Sequence, residues 1–160
     1  LEIQVQAAEL LEAAGRAAGA SGDVAKADAF LREAAIGRTS VPAVIWGWGG
    51  IANKLSRLAF AGSDEKSLKA REMFFRARLH VAETLLARAR LDAQSPERGK
   101  RLDAAKTSIA MTRKLYPDLG GDAFSRRFEQ VLKEVQKDQG AASPRGFAQL
   151  DEEAAAAATP

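Results

Sequence analysis

The residues that could carry chemistry are few in this sequence. The chain has no cysteine and a single histidine, His80. This composition excludes a disulfide scaffold, a thiolate nucleophile and a cysteine-based zinc site, and it disfavours a Ser-His-Asp triad. Because His80 falls inside a helical pattern between Arg78 and Glu83, we interpret it as a surface or core histidine rather than as a metal ligand or a base. The sequence therefore predicts no metal site and no cofactor.

The glycine-rich stretch at 45–51, IWGWGGI, does not have the features of a phosphate-binding loop. No Lys-Ser or Lys-Thr follows it and no strand precedes it. Its tryptophans, Trp46 and Trp48, either stack on a ligand or fill a partner's pocket, or they anchor the start of the third helix. The paired acids at 64–65 and 152–153 favour helix capping over general acid–base catalysis. We therefore predict that the protein is not an enzyme.

Apolar residues recur at helical spacing along almost the whole chain. In the first helix the predicted inner stripe consists of Ile3, Ala7, Leu10, Leu11, Ala14 and Ala18. No segment has the periodicity of a strand, so the predicted fold class is all-α. The pattern predicts six helices in three antiparallel hairpins, at about 2–19, 24–36, 51–61, 65–92, 96–115 and 122–137.

The chain has 160 residues, 28% of them charged, and a formal net charge of +3. This length is typical of one domain with a substantial core. No apolar run approaches the ~20 residues that span a bilayer. We place a helical domain at 1–137 and interpret 138–160, which is turn-rich and then alanine-rich, as a C-terminal tail or linker with room for a short helix around 147–158.

Bulky and small residues follow one another at a fixed spacing in the first predicted hairpin. They are Leu11, Gly15, Gly22-Asp23, Ala27, Leu31 and Ala34. This spacing resembles the tetratricopeptide repeat, in which small residues stand where the two helices cross. A weaker match covers Val81-Ala82, Leu85, Ala89, Ala105, Ile109, Thr112 and Pro117, across a longer turn. The segment TRKLYPDLGG at 112–121 and the helix after it resemble the closing part of bacterial repeat proteins, many of them exported.

The resemblance covers about two thirds of the chain and implies a short α-solenoid of stacked helical hairpins. An ordinary helical bundle is the alternative. A solenoid of this family implies a protein-interaction scaffold or an accessory subunit of a larger complex. The compartment stays open, with the exported relatives favouring the bacterial periplasm or cell envelope. On this resemblance the residues expected to line the concave surface are Glu9, Glu12, Arg16, Arg76, Leu79 and Glu83. If the chain is an accessory subunit, its partner is expected to cover Trp46 and Trp48 as well.

The charge pattern supports a second interpretation. Between Arg76 and Lys114, ten lysines and arginines stand against four acids. A basic face of this kind can bind nucleic acid or an anionic surface. However, the positive charges are spread around the helices without interleaved exposed aromatic residues, so a solvated face is favoured. The acidic residues at 151–153 offer a segment that could fold back onto this region.

Overall fold

The computed structural model describes residues 1–38 and 44–157. Of these residues 77% are helical and none forms a strand, so the predicted all-α class is confirmed. One isolated antiparallel bridge joins Arg38 to Ile45 across the connection between the second and third helices. None of the described helices combines the length and the apolar character needed to cross a membrane.

Seven helices occur within the described residues. Consecutive helices up to the sixth pack on one another, and the fourth helix also packs against the second and the sixth. The seventh helix lies in the C-terminal segment, where the sequence left room for a short helix around 147–158. The helices are α1 (Glu2–Ala20), α2 (Val24–Ile36), α3 (Gly47–Ala59), α4 (Glu65–Arg90), α5 (Arg98–Leu115), α6 (Asp122–Asp138) and α7 (Phe147–Ala157).

Two helices begin where an aspartate can cap them. The Asp23 carboxylate accepts a hydrogen bond from the Lys26 backbone N–H at 3.1 Å, and Asp64 accepts from two backbone N–H groups at the start of α4. Two predicted starts are wrong. Helix α5 begins at Arg98 rather than at residue 96, because the residues after Ser95 form a turn that ends at Arg98. Helix α3 begins at Gly47, four residues early, so its glycines lie inside the helix.

The start of α3 needs glycine because it lies directly against the end of α2. Gly47 has a φ of 62°, and a Cβ there would stand 2.3 Å from the Gly37 nitrogen and 2.9 Å from the Ala34 carbonyl oxygen. Only a residue without a side chain fits this backbone approach. The close contact fixes the entry of the chain into α3 and turns Trp48 into the core, where it is fully buried.

Helix α4 forms the centre of the core. Phe74 and Phe75 on α4 are buried, as predicted. They pack edge-on against Tyr116 at the end of α5, at 5.1 and 5.7 Å between ring centroids, and Phe60 stacks on Tyr116 at 4.5 Å. This aromatic cluster joins the end of α3, the first half of α4 and the end of α5.

The predicted inner face of α1 is wrong at Ile3 and Leu10, whereas Ala18 is buried and Leu11 packs against the core as predicted. Ile3 and Leu10 are 77% and 71% exposed, whereas the buried face consists of Val5, Ala8, Glu12, Gly15 and Ala18. The helix is rotated because its closest crossing is at Gly15. A Cβ at Gly15 would stand 2.6 Å from the Leu31 Cγ on α2. The small crossing positions Ala27 and Ala34 of the first hairpin are both fully buried.

Helix α7 contacts α5 through its side chains, and Gly146, the residue before α7, is bonded to α6. The Gln136 side chain on α6 donates to the Gly146 carbonyl oxygen at 2.9 Å and accepts from its N–H at 2.8 Å. Phe147 lies under the Arg113 guanidinium at 4.5 Å. Two of the acidic residues at 151–153 do fold back onto α5, with Asp151 paired to Arg113 and Glu153 paired to Lys106.

An ion-pair network ties α2 to α4 and α5. The Arg88 guanidinium donates to both oxygens of Asp28, at 2.9 and 3.2 Å, and Arg101 lies 3.1 Å from the same carboxylate. Burial by itself raises the pKa of Asp28, but the hydrogen bonds and charges of Arg88 and Arg101 outweigh it and hold the pKa below its usual value. Asp28 therefore stabilises the fold in its ionised form.

We expect Gly15→Ala to lower the free energy of unfolding by about 1–3 kcal/mol, because the added methyl group collides with Leu31. Gly99 is the matched control. It also lies in a helix, but a Cβ there meets nothing within 4 Å, so Gly99→Ala should be neutral or stabilise by up to about 1 kcal/mol. Urea unfolding of both variants, followed by circular dichroism, measures the difference. Equal effects of the two substitutions would contradict the close crossing.

We expect Asp28→Asn to destabilise the fold at pH 7 by about 1–2 kcal/mol. Because the pKa of Asp28 is lower in the folded chain, its contribution is complete above the unfolded value of about 4 and is lost as the pH falls further. The difference in unfolding free energy between wild type and variant should therefore shrink below about pH 4. A difference that stays constant from pH 7 to pH 3 would show that Asp28 does not act through its charge.

Candidate functional site

His80 is in the middle of α4, and its side chain lies between α1 and α3. Its ring stacks on Trp48 of α3, with 4.2 Å between ring centroids and 12° between planes. Its Nδ1 atom is 2.9 Å from Oε2 of Glu12 on α1. The side chain is 23% exposed. Three helices therefore meet at this histidine.

Glu12 is a buried carboxylate that accepts three hydrogen bonds. Oε2 accepts from Trp48 Nε1–H at 3.1 Å and from His80 Nδ1, while Oε1 accepts from Arg16 at 2.5 Å. Burial by itself raises the pKa of Glu12, but the hydrogen bonds and charges of His80 and Arg16 outweigh it and lower the pKa to about 2. Because the ionised carboxylate can only accept, the proton of this bond is on His80 Nδ1.

Glu83 completes the cluster from one turn further along α4. Its Oε2 is 3.7 Å from His80 Nδ1, and its Oε1 accepts from Arg127 of α6 at 2.7 Å. One ligand atom from each of Glu12, His80 and Glu83 lies within 4.8 Å of the other two. Carboxylate oxygens and an imidazole nitrogen at this spacing can hydrogen-bond to one another, share a proton or coordinate a cation.

A groove of about 470 Å³ opens beside this cluster, between α1, α2, α4 and α6. Its apolar lining consists of Gly19, Leu31, Leu86, Ala87, Leu91 and Val131. Its polar lining consists of Arg16, Glu83, Arg90, Arg127, Gln130 and Glu134. Arg16 and Glu83 therefore belong both to the rim of the groove and to the network around His80.

The structure brings four of the predicted partner-facing residues together around His80: Glu12, Arg16, Trp48 and Glu83. Of these, Arg16 and Glu83 also reach the groove. The expectation of an outward-facing position is wrong for Glu12 and Leu79, and the expectation that a partner covers Trp48 is also wrong, because all three are buried in the described structure. Glu12 is drawn inward by its three donors, and the other two contribute to the core.

The remaining predicted residues lie apart from the groove. Glu9 and Arg76 form an ion pair that joins α1 to α4, so each already has a charged partner. Trp46 is partly buried, with its backbone N–H bonded to Oε1 of Gln4 at 2.8 Å and the Lys54 ammonium 4.5 Å from its ring. This arrangement makes Trp46 an anchor between α1 and the start of α3.

Sequence reasoning did not identify His80 as the centre of a cluster. The one signal in the sequence is the spacing of His80 and Glu83, which places the two side chains on one face of a helix. Glu12 lies 68 residues before His80, and nothing local indicates that the two helices meet there.

None of the family models, curated proteins or solved structures compared with this chain gave a match. The tetratricopeptide resemblance therefore has no support from a relative, and function has to be argued from the site.

We expect Glu12→Ala to lower the free energy of unfolding by about 2–4 kcal/mol, because the buried Trp48 N–H loses its acceptor and His80 loses its partner. Glu12→Gln keeps an acceptor oxygen, so its loss should be smaller, about 1 kcal/mol. Chemical denaturation followed by tryptophan fluorescence and circular dichroism measures both effects.

Glu9→Ala is the control on the same helix. Glu9 is 40% exposed and its partner Arg76 is 42% exposed, so solvent screens the pair and the loss should stay within about 1 kcal/mol. If Glu12→Ala were no more destabilising than Glu9→Ala, the carboxylate of Glu12 would not organise the junction of α1, α3 and α4.

Proposed function

We propose that this chain is a protein-interaction module that holds a short segment of a partner protein in the groove between α1, α2, α4 and α6. The observation that carries the proposal is the composition of the groove, with an apolar floor at Leu86, Ala87 and Leu91 and charged side chains around it. Apolar surface supplies affinity, and surrounding polar groups supply orientation and specificity. The proposal covers a free-standing scaffold and an accessory subunit of a larger complex alike.

The charges at the rim indicate the chemistry of the bound segment. Three arginines and two glutamates line the groove, so its rim has an excess of positive charge. Arg16 and Arg127 are more than half exposed, 58% and 57%. The internal hydrogen bonds to Glu12 and Glu83 each use one N–H group of these guanidinium groups. Because a guanidinium group has five donors, a partner's carboxylate can bind the exposed N–H groups without displacing the internal carboxylate. We infer a partner segment that combines an apolar anchor with an acidic residue.

The alternative, binding of nucleic acid or an anionic surface through the 76–114 region, has less support. Affinity for nucleic acid comes largely from lysines and arginines that neutralise phosphates and so release the counterions bound to them. A side chain that is already in an intramolecular ion pair is less able to neutralise a phosphate, so such pairs reduce the positive charge that the region offers. Seven of its ten basic side chains form such pairs: Arg76, Arg88, Arg90, Lys100, Arg101, Lys106 and Arg113.

Selection from a displayed library of short random peptides tests the groove directly. We expect the selected peptides to share an apolar residue near an acidic one. Two substitutions, Arg127→Glu and Ala87→Glu, should each weaken binding of these peptides by at least about tenfold, since they reverse a rim charge and place a charge on the apolar floor. Fluorescence anisotropy of a labelled peptide measures the change.

Arg57→Glu is the matched control. Arg57 is an exposed arginine on α3 outside the groove, so the same charge change should leave peptide binding within about twofold, as expected for a residue outside the contact. Peptides that bind all three variants like the wild type would place the interaction elsewhere. Binding of an oligonucleotide duplex or of anionic vesicles that falls steeply with salt would favour the alternative.

A further inference from the structure

The cluster of Glu12, His80 and Glu83 offers ligand atoms of the kind and spacing that a metal ion requires. The three side chains come from two helices, α1 and α4, and one ligand atom of each lies within 4.8 Å of the other two. Glu12 is 6% exposed, so a rigid, buried carboxylate forms the base of the cluster. The partly exposed His80 and the nearby groove leave a path from solvent.

We propose that Glu12, His80 and Glu83 form a binding site for a divalent first-row transition metal ion, with Zn²⁺ as the best-fitting one. An imidazole nitrogen together with carboxylate oxygens suits Zn²⁺ and its neighbours in the series, whereas Mg²⁺ and Ca²⁺ prefer six or more oxygen ligands. Three protein ligands leave at least one coordination position open for water or for a ligand from solvent. This proposal does not rest on peptide binding, although Glu83 belongs both to the cluster and to the lining of the groove.

The spacing of the ligand atoms fits a single tetrahedral ion. With metal–ligand bonds of about 2.0–2.2 Å, neighbouring ligand atoms stand about 3.3–3.6 Å apart. The distances from His80 Nδ1 to Oε2 of Glu12 and to Oε2 of Glu83 are 2.9 and 3.7 Å, which bracket this range. The ligand atoms of Glu12 and Glu83 lie within 4.8 Å of each other, so a bound ion requires these two side chains to move closer together. The metal ion would take the place of the Nδ1 proton, which is released to solvent.

The arginines beside the cluster occupy the other carboxylate oxygens. Arg16 donates to Oε1 of Glu12 and Arg127 donates to Oε1 of Glu83, while the Oε2 atoms of both glutamates face His80. Both arginines can therefore keep the carboxylates in place while a metal ion binds. Trp48 Nε1–H holds Oε2 of Glu12 in the same way. Because two guanidinium groups already offset the carboxylate charge, we expect weaker binding than in a structural zinc site.

The composition of the chain makes the test specific. His80 is the single histidine and there is no cysteine, so His80→Gln removes the one strong nitrogen or sulfur ligand that the sequence contains. Trp48 stacks directly on His80, so Co²⁺ bound to the imidazole should quench its fluorescence. The protein must carry no polyhistidine tag.

Isothermal titration of the whole chain with Zn²⁺ at pH 7, and the visible absorption of Co²⁺, measure binding. We expect one Zn²⁺ per chain, no comparable binding of Mg²⁺, and a loss of affinity of at least about tenfold in His80→Gln and in Glu83→Gln. Glu9→Gln, which changes a carboxylate one turn away on α1, should bind Zn²⁺ like the wild type. Circular dichroism shows whether each variant is folded.

Absence of Zn²⁺ binding by the folded wild type would overturn the proposal, as would unchanged affinity in His80→Gln or Glu83→Gln. If His80→Gln does not fold, the Glu83→Gln result decides, because Glu83 lies at the edge of the cluster. Since the titration uses no peptide, its failure leaves the groove proposal untouched. Failure of the peptide selection likewise leaves the metal proposal untouched.

Discussion

A charged carboxylate on the buried face of α1 is the constraint on which the packing of this chain depends. An ionised group can be removed from water only where donors and positive charge replace its hydration. Glu12 finds them in Arg16 of its own helix, Trp48 of α3 and His80 of α4. These bonds and the close approach of Leu31 to Gly15 act on the same face of α1, and together they set its rotation, with Ile3 and Leu10 facing outward.

The sequence predicts the parts of this structure that depend on local signals. Asp23 and Asp64 mark helix starts because a carboxylate caps backbone N–H groups within its own turn. The small residues Gly15 and Ala27 mark the crossing of α1 and α2, because two helices can approach closely only where their side chains are small. The burial of Glu12 and its contact with His80 could not be predicted, because they depend on residues 68 positions apart.

Helix α4 is long enough to take part in the aromatic cluster, the cluster around His80, the ion pair with Asp28 and the groove. Its first half carries Phe74 and Phe75 into the aromatic cluster with Tyr116. Its middle carries His80 and Glu83 to the junction with α1, and its last turns carry Arg88 to Asp28 of α2. Leu86 and Ala87 in the second half of α4 contribute to the floor of the groove. Any change that bends or shifts α4 therefore alters the groove and the carboxylate–histidine cluster together.

The core is rich in alanine, and this composition gives the ion pairs between helices their importance. Among residues 1–38 and 44–157, twelve of the 28 buried hydrophobic residues are alanines. Alanine surfaces let helices approach closely, but they lack the large interlocking side chains that distinguish one register from another. That distinction then falls to polar contacts between helices. A helix that slid by one turn would keep most of its alanine contacts and lose pairs such as Asp28–Arg88 and Glu83–Arg127, leaving partly buried charges without partners.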